Sequence, residues 1–297
     1  MKDFKFGDYP YNNEIIEMPI RASLGELDTY TCPNSYFSKD FLYSLDDNIE
    51  KWKNPELSDM FWFRWITGHQ TMLVFWYVLS KELFAITNTS NMREIEQKLN
   101  LCTKILEGCS VIFEYTGSCP QAFYHSTIRP YMSLFHKGFS GNWSADYEPI
   151  PQLVNQIIKK HYTDSLKTPQ QAFKQSFLQH QKKHYGVAKR LVPSSASLLK
   201  EAKNTEIEVN PKEENNTLFD YFFLVKRVTT HSDSLLHSLS QRIKAIILDL
   251  KLNGIYAGSK QDSSQFELSD RELYKHEEYI KSLLFEATKA SVEVLSN

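Results

Sequence analysis

MFWFRWITGHQTMLVFWYVLSKEL, Met60 to Leu83, is the stretch that decides how this chain folds. Apolar residues recur on almost every side of a 3.6-residue period, so the spacing predicts a long buried helix, over Ser58–Phe84. Pro55 stands near its start, and Ser58 is the candidate cap. Arg64, His69, Lys81 and Glu82 interrupt the apolar run, which excludes a membrane span. Trp62, Trp65, Ile66, Met72, Leu73 and Trp76 fall on the same face as His69, at offsets of three, four and seven. An imidazole is thus aimed into an aromatic interior. Gly68 beside it costs a helix about 1 kcal/mol relative to alanine, and a missing Cβ lets another body approach closely.

Outward from this helix the texture stays helical. Ile95, Leu99, Cys102, Leu106, Cys109 and Phe113 recur at three- and four-residue steps, which predicts a second helix over Ser90–Tyr115. QAFYHSTI reads as a short helix ended by Arg129-Pro130, and residues 136–151, with two glycines and two prolines, read as a loop. Residues 151–190 are helical in pattern and carry Lys159, Lys160, Lys167, Lys174, Lys182, Lys183, Lys189 and Arg190 against one acid, Asp164. A solvated helix face explains that run, and a surface for an anionic partner is the alternative. A third long helix is predicted over Leu218–Leu252 and a closing amphipathic helix over Asp270–Leu295. No β-branched alternation with hairpin turns and no repeat is present. The expectation is one all-α domain of long packed helices spanning 1–297. It includes an N-terminal arm over 1–55, with a short helix near Ser38–Lys51, and a mobile loop over 204–217.

Composition bounds the function. The chain has 297 residues, 41% hydrophobic and 24% charged, with a formal charge of −2. That balance gives no general attraction to nucleic acid or membrane. Aromatics reach 13%, enough to line a pocket for a flat ligand as well as fill a core. Cys32, Cys102, Cys109 and Cys119 form no CxxC pair, so a structural zinc site is not indicated. The opening residues lack the apolar core of a signal peptide, and a reducing cytoplasm is the expected setting. The sequence leaves open whether the chain forms a homo-oligomer.

Three histidine-bearing segments stand out. His69 faces aromatics. On the third long helix Tyr221, Leu224, Val228, Leu235 and Leu239 form a stripe that includes His231, whereas His237 has polar neighbours. His231 is therefore read as buried and His237 as solvated. A buried imidazole on an apolar stripe is what a heme iron ligand requires; a core histidine bonded to a carbonyl is the plainer alternative for each. A third segment, CPQAFYHSTIRPYMSLFHKGFSGNW, holds His125, Arg129 and His136 among rings. Arg129 can grip a carboxylate with its planar fork or bond nearby carbonyls. Dinucleotide, P-loop, HExxH and GxSxG motifs are absent.

Taken in order, these pieces resemble the tryptophan 2,3-dioxygenases. ITGHQTMLVFWYVLSKEL is similar to their distal-pocket helix, with its His-Gln pair, aromatic run and Glu-Leu end. A second helix (TKILEGCSVIFEYTG), Pro120–Phe123, Arg129-Pro130 and Gly138-Phe139-Ser140 follow in the family's order. Where that family has a Gly-Thr-Gly-Gly-Ser loop, this chain reads YAGSKQDSS, and no arginine stands at Tyr124-His125. The resemblance is therefore to the branch of histidine-ligated, heme-dependent aromatic oxygenases, which includes L-tyrosine 3-hydroxylases and the pyrrolnitrin-pathway enzyme. Some members tether heme through His-x-x-x-Cys; His231 is followed at that position by Leu235, so no such link is expected.

The resemblance implies a tryptophan/indoleamine dioxygenase-like fold holding heme b. It implies hydroxylation of a free aromatic amino acid, L-tyrosine to 3,4-dihydroxyphenylalanine, with peroxide or dioxygen. Tryptophan or indole oxidation is the alternative, and a heme-free helical binding protein is the alternative of another class. His69 would be the distal acid–base group, and Gly68 would make room beside the heme. His231, with His237 as alternative, would bind the iron. Phe61, Trp62, Trp65, His125 and Arg129 would meet the substrate, and Phe139, Ser140 and Trp143 the cofactor.

Overall fold

The Met60–Leu83 stretch forms the middle of helix α1 (Leu57–Asn88), in a computed structural model that describes residues 11, 13–20, 55–193, 197–204, 212–257 and 270–296. The helix starts a residue earlier and runs a turn further than the sequence predicts. Ser58 lies inside it; Glu56 stands at the cap position without a side-chain bond. The predicted helix near Ser38–Lys51 lies outside the described residues. Helix α2 (Met92–Thr116) is capped by Asn91, whose side chain accepts from the Arg93 and Glu94 backbone N–H groups. Its predicted stripe is the buried one.

Helix α3 (Gln121–Phe123) passes through a π-helical turn (Tyr124–Ile128) into α4 (Arg129–Phe135). Arg129-Pro130 therefore does not end the helix, contrary to the sequence reading. The π turn moves the hydrogen bond at Arg129 N back to Tyr124 O, and the proline enters where a new helical segment begins. A 3-10 turn (Gly141–Trp143) leads to α5 (Ile150–Lys159) and the long α6 (Asp164–Leu191). The lysines of α5 and α6 lie on exposed faces, as a solvated face requires.

The predicted helix over 218–252 is two helices and a strand. Helix α7 (Leu198–Asn204) is followed by α8 (Lys212–Phe222), strand β2 (Val225–Val228) and α9 (Ser232–Asn253). Six residues of the predicted mobile loop, 212–217, are helical. The break comes at Leu224, whose φ of 55° no helix tolerates. Strand β2 then pairs in parallel with β1 (Ile16–Pro19), Ile16 opposite Val225. Apart from this short ribbon the described elements are helical, as the all-α reading expects. The closing helix α10 (Asp270–Leu295) has the predicted bounds.

One continuous core runs through these elements. Helix α1 is buried on nearly all faces because α2, α5, α9 and α10 pack around it. Helix α2 runs antiparallel to α1: Gly68 lies against Thr116, Phe75 against Gly108, and Glu82 pairs with Lys98. Helix α6 runs parallel to α2, with Ser176 bonded to Thr103 and Lys183 paired with Glu114. Helix α9 runs antiparallel to α1, Asp249 meeting Arg64 and Arg242 meeting Gln70. Gly68 thus admits α2, not a cofactor: a Cβ there would meet the Thr116 methyl.

A buried ion pair ties three helices. Arg64 Nε donates to Asp249 Oδ2 (2.7 Å), and its other nitrogens reach Ser118 Oγ and the carbonyls of Gly254 and Ile255. Tyr115 and Tyr11 donate to the two carboxylate oxygens. Every polar atom that a buried charge brings in must be met in this way, or the pair costs more than it returns.

Candidate functional site

His69 is held from both sides by rings. Trp65 lies at a centroid distance of 4.6 Å, and Phe223 stacks on the imidazole at 4.3 Å and 21°. Its Nδ1 is 2.6 Å from the Trp65 carbonyl oxygen, one turn back. A carbonyl can only accept, so Nδ1 carries the proton and Nε2 carries the free lone pair. Burial lowers the pKa of His69 to about 4, with neighbouring His184 pushing the same way. The imidazole is neutral at pH 7, in one tautomer, with Nε2 unprotonated but a weaker base than that of an ordinary histidine.

His184 comes from α6. Helices α1 and α6 both pack along α2, which brings His69 and His184 near one another over α2. Phe113 lies on α2: His180 stacks on the Phe113 ring at 4.9 Å and His184 at 4.7 Å, while Trp76 meets it edge-on. Tyr147 covers Trp76 at 4.9 Å. Solvent reaches His69 and His184, yet burial lowers both pKa values. His180, a turn away, is fully buried, with its pKa lowered to about 3 by burial. Several buried polar atoms of this region have no hydrogen-bond partner: Trp65 Nε1, Trp76 Nε1, Tyr77 Oη and His180 Nδ1. Unmet polar atoms among aromatic rings fit a polar ligand better than a closed core.

The structure sorts the predicted residues. Trp65 lies on His69; Phe61 packs on Phe123, and Trp62 on Tyr131 and Phe222. His125 bonds the Leu191 carbonyl through Nε2, and Arg129 pairs with Glu201 at 2.7 Å. These two residues, read as substrate-binding, tie the π turn and α4 to α6 and α7. Phe139 packs on Phe219, Phe222 and Phe223, with Trp143 against it, and Ser140 caps the 3-10 turn. This cluster backs Phe223, one ring behind His69.

His231 requires a correction. It is exposed, and it precedes α9 at the cap position instead of lying on a buried stripe. The antiparallel run of α9 sets it eleven residues (231 to 242) beyond the Arg242–Gln70 contact, about 16 Å along the helix. It therefore does not stand level with His69, and His237 is exposed too. The histidines level with His69 are His180 and His184. Their His-x-x-x-His spacing puts both on one helix face, within a stripe of Leu166, Phe173 and Phe177. That stripe is readable in the sequence beneath the lysines.

Residues 48–161 match the family model described as SfmD 3-methyl-L-tyrosine peroxygenase. Over that stretch the chain is similar to this heme-dependent, tryptophan-dioxygenase-like family. The match supports the superfamily and the branch that the sequence resembles. It covers α1, α2, the π turn and α5, and ends at His161, before α6. The peroxygenase resemblance thus takes in His69 and Trp65 but neither His184 nor His231. No curated protein matches the chain.

Proposed function

We propose that the chain is a heme-dependent oxygenase that hydroxylates a free aromatic amino acid, L-tyrosine or a ring-methylated tyrosine, with peroxide or dioxygen as oxidant. The observation that carries this reading is the single tautomer of His69, neutral with Nε2 unprotonated, set among aromatic rings. Similarity to the peroxygenase family supports it. The residues around His69 suit a flat, partly polar cofactor: Trp65 and Trp76 offer unmet N–H groups, and two histidine-bearing helices lie close together. His184 would hold the iron of heme b in place of His231, because it is neutral, reachable and level with His69. Bound heme would supply the oxidising power.

The chain's own residues supply position and the proton. With Nδ1–H committed to the Trp65 carbonyl, Nε2 accepts a proton from the oxidant or from the substrate phenol, and returns it from the same atom. Trp65 and Phe223 prevent the ring from turning. The aromatic wall excludes water and receives the substrate ring. Free buried thiols at Cys102, Cys109 and Cys119 suit a cytoplasmic setting, and no helix among the described residues is long and apolar enough to cross a membrane.

The test is a product assay with hemin-loaded protein, L-tyrosine, 3-methyl-L-tyrosine or L-tryptophan, and peroxide. Mass spectrometry should show one added oxygen on a tyrosine. Tryptophan oxidation alone would move the substrate to the indole class. No oxygenated product, together with no hemin binding, would leave a heme-free binding protein.

A further inference from the structure

Phe223 reaches His69 through a strained piece of backbone. Helix α8 has just ended, and the next residue, Leu224, sits at φ 55°. A leucine in the left-handed region is strained, so its surroundings must enforce it. Leu224 N donates to Tyr221 O (3.2 Å), and Ile16 N donates to Leu224 O (2.9 Å). A third bond comes from the residue next to His69: Gln70 Nε2 donates to Phe223 O at 2.9 Å.

The Gln70 amide is fully buried and fully used. Its nitrogen also donates to Glu14 O (2.6 Å), just before β1, and its oxygen accepts from Arg242 Nε (2.8 Å) on α9. Successive helix residues point about 100° apart, so Gln70 and His69 emerge on different sides of α1. Phe223 spans both, its carbonyl on Gln70 and its ring on His69. Only a side chain that both donates and accepts serves these partners. A carboxylate would satisfy Arg242 and abandon two carbonyls; an aliphatic chain would abandon all three.

We propose that Gln70 is a positioning residue for His69: by gripping the Phe223 carbonyl it keeps the Phe223 ring on the imidazole, and so keeps Nδ1–H on the Trp65 carbonyl and Nε2 free. This rests on His69 being the acid–base group, but the positioning can be measured without turnover.

The experiment uses the full chain labelled with 15N-histidine, with the His69 signals assigned by their loss in His69→Gln. The wild type should show one tautomer, protonated at Nδ1. Gln70→Glu keeps an acceptor for Arg242, and so the fold, but loses both donated bonds. It should give a mixture of tautomers, as should Phe223→Leu, while Phe223→Tyr keeps the wild-type pattern. If the protein is active, Gln70→Glu and Phe223→Leu should each lower kcat roughly 10- to 100-fold at unchanged KM, the cost of a misplaced catalytic group. The double variant should be no worse than either single one, because both act through one contact. An unaltered His69 tautomer in folded Gln70→Glu would overturn the proposal, as would fully multiplicative losses in the double variant. If Gln70→Glu fails to fold, the contrast between Phe223→Leu and Phe223→Tyr decides. A wild type that is inactive with heme but keeps the single tautomer overturns the acid–base reading and leaves the positioning standing.

Discussion

Gly68 and Thr116 touch so closely that a Cβ on the glycine would lie 2.1 Å from the threonine Cγ2. Helix α1 gives up helix propensity here so that α2 can lie against it. Gly68→Ala should therefore destabilise the protein although alanine is the better helix former, by about 1–3 kcal/mol as overpacking does. Thr116→Ser removes the methyl and keeps the hydroxyl bond to Phe113 O, so it should restore most of the loss. Urea denaturation of the two single variants and the double measures this. An unchanged midpoint in Gly68→Ala would show that the helices separate freely.

His184 and His231 give opposite expectations for heme. Hemin titrated into His184→Ala should give a Soret band and an affinity clearly different from those of the wild type. His231→Ala and His237→Ala should match the wild type. The reverse pattern would return the ligand to the start of α9.

Replacing the distal group separates binding from chemistry. His69→Leu should keep hemin binding and lose turnover by roughly 10²- to 10⁴-fold, the usual share of a general acid–base group. Single-turnover mixing with peroxide reads the loss directly. Equal rates in variant and wild type would remove His69 from the reaction.

Much of this was legible in the sequence, and the misses have physical causes. Helices α1, α2 and α10 declare themselves through unbroken periodicity, and His69 through its aromatic face. Pro130 misled because a π turn can absorb the bond that proline cannot make. Val225–Val228 looked helical because its strand partner, Ile16–Pro19, is remote in sequence, and no local pattern reports a pairing across that separation. His231 followed that error. His180 and His184 were passed over because lysines dominate the composition of α6, while Leu166, Phe173 and Phe177 mark its buried side.

Stability should fall in acid in two stages. The His69 pKa lies near 4 in the fold, against 6.5 for an ordinary histidine, so between those values the unfolded chain binds more protons. Stability is then complete above pH 6.5 and declines as pH falls toward 4. Glu114 follows below that. Burial pushes its pKa up, but bonds from His276 and Lys183 outweigh burial and hold it near 2, against 4.5 ordinarily. Its contribution is present above pH 4.5 and is lost as pH falls toward 2. His180, its pKa lowered to about 3, acts over the same window, so denaturant midpoints from pH 8 to 4 should drop below 6.5, and His69→Leu should remove only part of that drop. A flat wild-type profile would contradict the burial of the imidazole.

Asp249 carries the buried network of Arg64, Tyr11 and Tyr115. Asp249→Asn should cost about 3–5 kcal/mol, because it strands a buried guanidinium. A loss below 1 kcal/mol in urea would mean that water reaches Arg64.

The parallel ribbon of β1 and β2 also sets an order of events during synthesis. Glu17 and Lys226 are paired across 209 residues. Strand β1 must stay single until β2 has emerged, roughly 10–40 s later at ordinary translation rates. Gln70 and Arg242 hold carbonyls of the same segment, so their contacts close at that late moment too. The surroundings of His69 are therefore completed from two segments far apart in the chain, and a chain cut short before Phe223 would lack the ring that steadies its histidine.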